Sequence, residues 1–277
     1  MTLKFTKMQG LGNDFMVVDA IHQSINFSPP LVQQWADRHF GIGFDQLLVV
    51  EEASQAGVDF RYRIFNADGS EVQQCGNGAR CFAQFVLDKG LTDKTEIKVE
   101  TASGVIVLYV EQSGWVRVNM GVPNFMPESL PFLQVEQQAD YTLEVLGQSV
   151  MLGAVSMGNP HAVLLVEDIQ TAQVDTLGAA IESHESFPER VNVGFAQIID
   201  RQQITLRVYE RGAAETLACG TGACAAMAVL RAWNLVDESV TVTLPGGKLL
   251  ISWSGKSDGI VWMSGPAVTV FEGEISL

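Results

Sequence analysis

Positive charge is scarce in this sequence: 17 lysines and arginines stand against 32 aspartates and glutamates, a formal net charge of −15 over 277 residues. Nucleic acids are held by clustered Lys and Arg at the phosphates, so this balance excludes a nucleic-acid partner. It also means that selectivity for a small anion has to come from local groups such as helix N-termini, because the long-range field repels anions. A secretory leader is missing as well: the chain opens MTLKFTKMQGLGND, with no apolar run and no small-residue cleavage site. Long apolar runs are absent. The most apolar stretch, 150–166, is interrupted by Asn159, Pro160 and His161, well short of the roughly 20 residues a membrane helix needs. No membrane partner is expected, and the cytoplasm is the expected compartment. There are only four cysteines, and in a reducing compartment such thiols serve catalysis, metal binding or packing more often than disulfides. Neither Gly10-Leu11-Gly12 nor Gly41-Ile42-Gly43 continues as a nucleotide-binding fingerprint, so both read as structural turns.

What is present is a duplication. Residues 65–82, FNADGSEVQQCGNGARCF, and residues 209–226, YERGAAETLACGTGACAA, match at Phe65 and Tyr209, Glu71 and Glu215, Cys75 and Cys219, Gly76 and Gly220, Gly78 and Gly222. Cys219 follows Cys75 by 144 residues, about half the chain. The same order holds upstream, where Gly12-Asn13-Asp14-Phe15 matches Gly158-Asn159-Pro160-His161, Gln46 matches Asn192, and Arg63-Ile64-Phe65 matches Arg207-Val208-Tyr209. A repeat of this length is a half-chain domain and not a solenoid unit. Two domains are expected, 1–122 and 123–277, with the C-terminal tail free to pack back on the first; the proline-rich stretch at Pro123, Pro127 and Pro131 marks the crossing.

Periodicity sketches each half. Strand, loop and strand are expected over 3–18, a helix from Ser28-Pro29-Pro30 to about His39 with Ser28 as N-cap, and strands at 47–50, 60–65, 97–100, 105–110 and 116–120 around a helix over 78–89. The second half repeats this with strands at 162–166 and 204–209, a helix near 171–183 and a helix over 222–233. That last segment is apolar nearly all round, so it must be wrapped by its own sheet. The expected class is α+β: two homologous, pseudo-twofold domains, each a curved, mostly antiparallel sheet around a central helix. Facing each other, they would bring Cys75 and Cys219 to opposite sides of one cleft.

A thiol with pKa near 8.5 is only about 3% thiolate at pH 7, and the N-terminus of a helix lowers that pKa. Gly76 and Gly220 permit a sharp turn after each cysteine and leave backbone N–H groups for an anion such as an amino-acid carboxylate. With a carbon acid between two sulfurs, one thiolate takes a proton from one face and the opposite thiol gives one to the other. Configuration inverts.

The segments GLGNDF, NADGSEVQQCGNGARC, MGNPHAV, PERVNVGF, YERGAAETLACGTGA and LPGG, in this order over nearly the whole chain, resemble diaminopimelate epimerase. The resemblance implies interconversion of LL- and meso-diaminopimelate without pyridoxal phosphate or metal, on the route to lysine and peptidoglycan. It makes Cys75 and Cys219 the acid and base pair, with His161 and Glu210 as helpers; Cys219 is our choice as the base from the LL side. Asn13, Gln46, Asn66, Gly76, Asn77, Asn159, Asn192, Glu210, Arg211, Gly220 and Thr221 become substrate-binding residues. Neutral amides plus one guanidinium fork suit a substrate with two zwitterionic ends. The resemblance also implies a homodimer. Phe271 stands where a tyrosine is often found at its contact, so any bond from that hydroxyl is absent.

Plainer readings stand beside these. Cys81 and Cys224, inside the helices, read as small buried hydrophobes; a four-cysteine zinc site is the sharper alternative, with spacings that fit poorly. His22, His39 and His184 read as surface or capping residues. Arg63 and Arg207 suit structural ion pairs as well as ligands, and Glu71 and Glu215 are expected to cap helices. A related two-thiol racemase acting on proline or hydroxyproline is the second enzyme reading, and a thiol or zinc module the non-enzyme one.

Overall fold

A computed structural model describes residues 2–72, 76–102, 104–134 and 136–276. In chain order its elements are β1 (Thr2–Gly10), β2 (Asn13–Asp19), α1 (Pro29–Ala36), β3 (Gln46–Glu52), β4 (Phe60–Asn66), β5 (Glu71–Val72), α2 (Gly76–Asp88), β6 (Glu96–Thr101), β7 (Gly104–Val110) and β8 (Val116–Asn119). They continue as β9 (Tyr141–Val145), β10 (Gln148–Ser156), β11 (Pro160–Leu165), α3 (Val174–Glu182), β12 (Asn192–Asp200), β13 (Gln203–Glu210), β14 (Ala214–Thr216), α4 (Gly220–Ala232), β15 (Ser239–Leu244), β16 (Gly247–Ser252), β17 (Trp262–Gly265) and β18 (Val268–Ser276). The chain divides into two compact units, Met1–Val118 with Gly265–Leu277, and Asn119–Ser264. The class is α+β, sheet-dominated with four helices among the described residues.

Both units follow one pairing programme. In the first, β1 and β2 are antiparallel, β2 and β3 parallel, β3 and β4 antiparallel, β4 and β6 parallel, and β6 and β7 antiparallel. In the second, β10, β11, β12, β13, β15 and β16 repeat those relations in order. The register is also kept: Phe15 faces Gln46 as His161 faces Asn192, and Phe60 faces Val99 as Ile204 faces Val242. The matched strands β1 and β10 each gain one more antiparallel neighbour: for β10 it is β9, its hairpin partner, and for β1 it is β18.

The parallel pairs sit mid-sheet, and their strands are buried on both faces, as the run Leu47-Leu48-Val49-Val50 shows. Leu47 and Val49 pack with Val32 and Trp35 of α1. Strand alternation turns Leu48 and Val50 to the opposite face, where α2 buries Cys81, Phe82, Phe85 and Val86. Phe82 lies 4.8 Å from the Tyr62 ring, centre to centre, and its truncation to alanine is expected to cost ~3–5 kcal/mol. In the second unit α4 is buried from Gly222 to Leu230, touching β10, β11, β12, β13, β15 and β16. That is the central helix its all-apolar sequence demands. The outer helix α3 places Val174 and Ile181 against Val193 and Phe195 of β12.

Two local expectations change. The first helix stops at Ala36 and not near His39, because the Asp37 carboxylate accepts the N–H groups of His39 and Phe40, both at 2.7 Å, and folds the chain into a turn. Ser28 occupies the N-cap position with extended backbone but makes no side-chain cap bond.

Candidate active site

In the first unit, the turn between β1 and β2 has Gly12 at φ 88°, a conformation that costs glycine nothing. It presents Asn13, whose Nδ2 donates to Asp45 Oδ2 at 2.9 Å and whose Oδ1 accepts from Asn77 Nδ2 at 3.3 Å. Asn77 is buried in the first turn of α2, and its Oδ1 accepts from Arg80, a fully buried guanidinium that also donates to the Pro266 carbonyl. Gln46 and Asn66, directly opposite on β3 and β4, are joined by Gln46 Nε2 to Asn66 Oδ1 at 2.9 Å. The buried Gln46 Oε1 has no hydrogen-bond partner among the described residues. Asp14 anchors the turn through Lys7 (2.6 Å) and a two-pronged contact from Arg38 (3.0 and 2.8 Å). Burial opposes ionisation of Asp14, but the Arg38 and Lys7 hydrogen bonds outweigh it and hold the carboxyl well below its usual range.

The second unit builds the matching corner. Gly158 has φ 87°, and Asn159 Nδ2 donates to Thr221 Oγ1 at 3.4 Å, the counterpart of the Asn13 and Asn77 contact. His161, fully buried, sets Nε2 3.0 Å from Asn159 Oδ1. Burial, with the positive charge of Arg211 nearby, pushes its pKa down to about 3, so the ring is neutral near pH 7. Asn192 ties three segments: on β12 it pairs across to His161, its Nδ2 donates to the Pro160 carbonyl at 2.9 Å, and its Oδ1 accepts the Arg211 N–H at 3.0 Å. At the end of β13, Glu210 Oε1 accepts from Thr216 Oγ1 at 2.5 Å.

Cys219 is the N-cap residue of α4, with extended backbone and Sγ 3.6 Å from Thr221 Oγ1. Gly222 makes room for the sulfur: a Cβ there would stand 3.2 Å from Sγ and 3.1 Å from Val208. The expected acidification does not occur. The thiol is pushed well above its ordinary value, first by burial, then by the negative charge and hydrogen bond of Glu210; the Thr221 hydroxyl and Gly222 N–H act in the acidifying direction and are outweighed. Cys219 is therefore a protonated thiol here, flanked by a carboxylate.

Asn13, Gln46, Asn66, Gly76 and Asn77 thus gather in one unit and Asn159, His161, Asn192, Glu210, Arg211, Cys219, Gly220 and Thr221 in the other. Cys75 lies outside the described residues. Phe271 is elsewhere, 47% exposed on β18 with its ring edge-on to Phe5. Cys81 and Cys224 are fully buried in their helices, as read from the sequence. Glu71 and Glu215 do not cap helices. Each instead takes a two-pronged contact from the matched arginine: Arg63 to Glu71 at 2.8 and 2.8 Å, Arg207 to Glu215 at 2.6 and 2.7 Å. Each arginine reaches diagonally across its strand pair, in which Glu71 faces Phe65 and Glu215 faces Tyr209, and both charges are satisfied there, whereas the helix start lies several residues downstream. Sequence reasoning missed Asp45, Arg80, Glu182 and Thr216. Arg80 and Glu182 carried a usable signal, since each is a charged residue on a helix face whose neighbours are apolar. Among the described residues, no group of three or more His, Cys, Asp or Glu is placed to hold a metal ion.

The fold is shared with solved structures of low sequence identity. A phenazine biosynthesis protein of the PhzF family from Bacillus anthracis superposes with TM-score 0.71 at 17% identity, covering 100% of both chains. A probable proline racemase from Agrobacterium radiobacter K84 gives 0.69 at 15% identity, covering 99% of this chain and 93% of the other. These likenesses show that the fold is a shared one. Sequence narrows it further. The family model described as diaminopimelate epimerase matches residues 5–126 and 153–270. Diaminopimelate epimerases of Nitrosomonas europaea and Pseudomonas entomophila are 60% and 58% identical to it, each over 100% of both chains. The chain belongs to the diaminopimelate epimerase family.

Proposed function

We propose that this protein is an isomerase that interconverts LL-2,6-diaminopimelate and meso-diaminopimelate by moving a proton between Cys75, Cys219 and one α-carbon. The observation that carries the reading is the corner around Cys219 in a chain matched end to end by curated diaminopimelate epimerases. A thiol that is buried, protonated and adjacent to Glu210 is a proton donor, the role it has from the meso side. From the LL side it is the base, its proton having passed to the adjacent Glu210 carboxylate. Cys75 supplies the opposite face. The N–H groups of Gly220 and Thr221 at the start of α4, and those of Gly76 and Asn77 at the start of α2, receive the carboxylate of the reacting centre. Arg211 takes the distal carboxylate as a fork. Asn13, Gln46, Asn66, Asn159, Asn192 and Glu210 bind the ammonium groups and the remaining oxygens. Neutral His161 holds Asn159 through its ring nitrogen without adding a charge that would compete with the substrate.

The reading calls on no cofactor and no metal; activity should survive exhaustive chelation. It puts the enzyme in the cytoplasm as a homodimer joined at β18, where Val268, Val270 and Phe271 are exposed and, among the described residues, β18 pairs with β1. The decisive experiment is isotope flow. In deuterated water, early product from LL-diaminopimelate should carry deuterium at the inverted carbon while recovered substrate stays nearly unlabelled, because the donor thiol already holds a solvent-derived proton. Early label in the substrate, or retention of the original proton in product, would overturn the two-base mechanism. Exchange on proline or hydroxyproline with none on diaminopimelate would overturn the substrate.

A further inference from the structure

The turn that carries Arg211 is held by a buried carboxylate that neither the family motifs nor the thiol chemistry calls on. Glu182, the last residue of α3, has a side chain only 6% exposed. Its Oε1 accepts the backbone N–H of Gly212 at 3.0 Å, and Arg190 Nη1 contacts both carboxylate oxygens at 3.2 and 3.3 Å. Gly212 follows Arg211 and has φ 75°, and Arg190 has φ 63°. Two left-handed positions are therefore tied together through one carboxylate. Arg211 is fixed from its other side as well: its own N–H donates to Asn192 Oδ1 at 3.0 Å, and its Nη1 donates to the Glu189 carbonyl at 3.2 Å, one residue before Arg190. The loop before β12 thus holds the arginine side chain, and Glu182 locks that loop to the turn bearing the arginine backbone.

The first unit shows what this arrangement adds. There the corresponding turn, 68–70, is closed by its own Asp68 carboxylate, which accepts from the Ser70 N–H at 2.8 Å, and α1 supplies only a neutral amide, Gln33 Nε2 to the Asp68 carbonyl at 2.8 Å. The position of Glu182 is taken there by Ala36. A turn that presents no functional guanidinium has no buried anion beneath it. Burying a carboxylate is unfavourable unless several donors satisfy it; here they come from the two segments that meet at Arg211.

We propose that Glu182, with Arg190, is a positioning pair that sets the Arg211 guanidinium for the distal carboxylate of the substrate. The inference rests on the proposed role of Arg211 as that carboxylate's receptor. The distal carboxylate does not change charge as the α-proton moves, so its contact is equally strong in ground and transition states. Misplacing Arg211 should then raise KM and leave kcat nearly intact.

The test measures kcat and KM for LL-diaminopimelate in Glu182→Ala, Glu182→Asp, Glu182→Gln, Arg211→Met and the Glu182→Ala/Arg211→Met double variant, with circular dichroism and melting as checks on the fold. Glu182→Ala and Glu182→Asp should each raise KM by ~10-fold or more with kcat within about 3-fold of the parent. Glu182→Gln keeps an oxygen for the Gly212 N–H and should restore most of the affinity. In the Arg211→Met background, Glu182→Ala should add nothing to KM, because its effect passes through the arginine. If Glu182→Ala does not fold, the shorter Glu182→Asp and the Gln rescue decide. Parental KM in folded Glu182→Asp, a Gln variant no better than Asp, or full additivity with Arg211→Met would overturn the positioning role. Parental KM in Arg211→Met itself would instead remove the carboxylate-receptor reading, separately from any effect of Glu182.

Discussion

The two units reach the same turn by different chemistry. Around Asn13 the first uses charge: Lys7, Asp14, Arg38 and Asp45 form a linked network, with Asp45 accepting from both the Asn13 side chain and the Asp14 N–H. Around Asn159 the matching positions are Ala154, Pro160, His184 and Val191, and the turn is held by packing and by neutral hydrogen bonds from Asn192 and His161. Gly12 and Gly158 nonetheless share φ values of 88° and 87°. Backbone geometry at this corner is thus set by the duplicated sheet and the glycine, and the side chains beneath it are free to differ. In the second unit, that freedom places a neutral imidazole and a protonated thiol beside a carboxylate.

The comparison breaks most sharply at the thiols. If each unit supplies one acid or base, Cys219→Ala and Cys75→Ala should each lower kcat by ~10³-fold or more, since a positioned general acid or base contributes about 10²–10⁴-fold and a single turnover needs both. Steady-state epimerisation checks this, and near-parental inversion by either variant would mean that the units are not equivalent partners.

Next in size is Glu210, the charged member of a matched pair whose other member is neutral Asn66. Its charge raises the Cys219 pKa, second only to burial. Glu210→Gln should therefore shift the pH midpoint of Cys219 alkylation downward, while kcat falls by roughly 10²-fold. Parental alkylation and turnover would reduce Glu210 to a structural residue.

Asp14 gives a smaller effect, on stability and on one unit only. Its folded-state pKa lies below the ordinary aspartate value of 3.8. The stabilisation it supplies is therefore fully present above that value and is lost as pH falls from there towards the folded pKa. Amide exchange should show the turn at residues 12–14 losing protection in strong acid, below that value, before the turn at 158–161, which has no matching carboxylate. Asp14→Asn should cost ~2 kcal/mol at pH 7, less than a fully buried pair because Arg38 is half exposed. Simultaneous loss of protection in both turns would show that the charge network is not what holds the first.

Much of this asymmetry was legible before any coordinates. The repeat offsets match Gln46 with Asn192 and Asn66 with Glu210, and the strand registers agree: Gln46 faces Phe15 as Asn192 faces His161, and Phe65, just before Asn66, faces Leu47 as Tyr209, just before Glu210, faces Val193. The central helix of the second unit is legible because an element apolar on nearly every side has one place to go. The hairpin of β9 and β10 is not legible as strands: β10 corresponds to β1, but β9 has no counterpart in the first unit to announce it. The thiol's raised pKa was not legible either. Helix position favours a thiolate, and only the three-dimensional burial of Sγ beside Glu210 shows that desolvation wins.

The smallest effect sharpens the comparison where the units agree. Arg63 with Glu71 and Arg207 with Glu215 are the same two-pronged ion pair built twice, each joining paired strands a few residues before a matched cysteine in the sequence. They differ in exposure: the carboxylate side chain is 39% exposed in the first unit and 23% in the second. The first arginine also reaches Glu51 at 3.3 Å, whereas the second donates to the Ile169 carbonyl at 3.2 Å. Water screens the more open pair, and Glu51 leaves Arg63 a second anion when Glu71 is removed. Double-mutant cycles with Met for Arg and Gln for Glu should therefore give coupling of about 0.5 kcal/mol in the first unit and about 1 kcal/mol in the second, both falling as salt rises. Urea unfolding of the two cycles at low and high salt measures the difference. Equal couplings would mean that solvent exposure is not what separates the pairs, and a larger one in the first unit would show the Glu51 contact to be cooperative with Glu71 instead of a substitute for it.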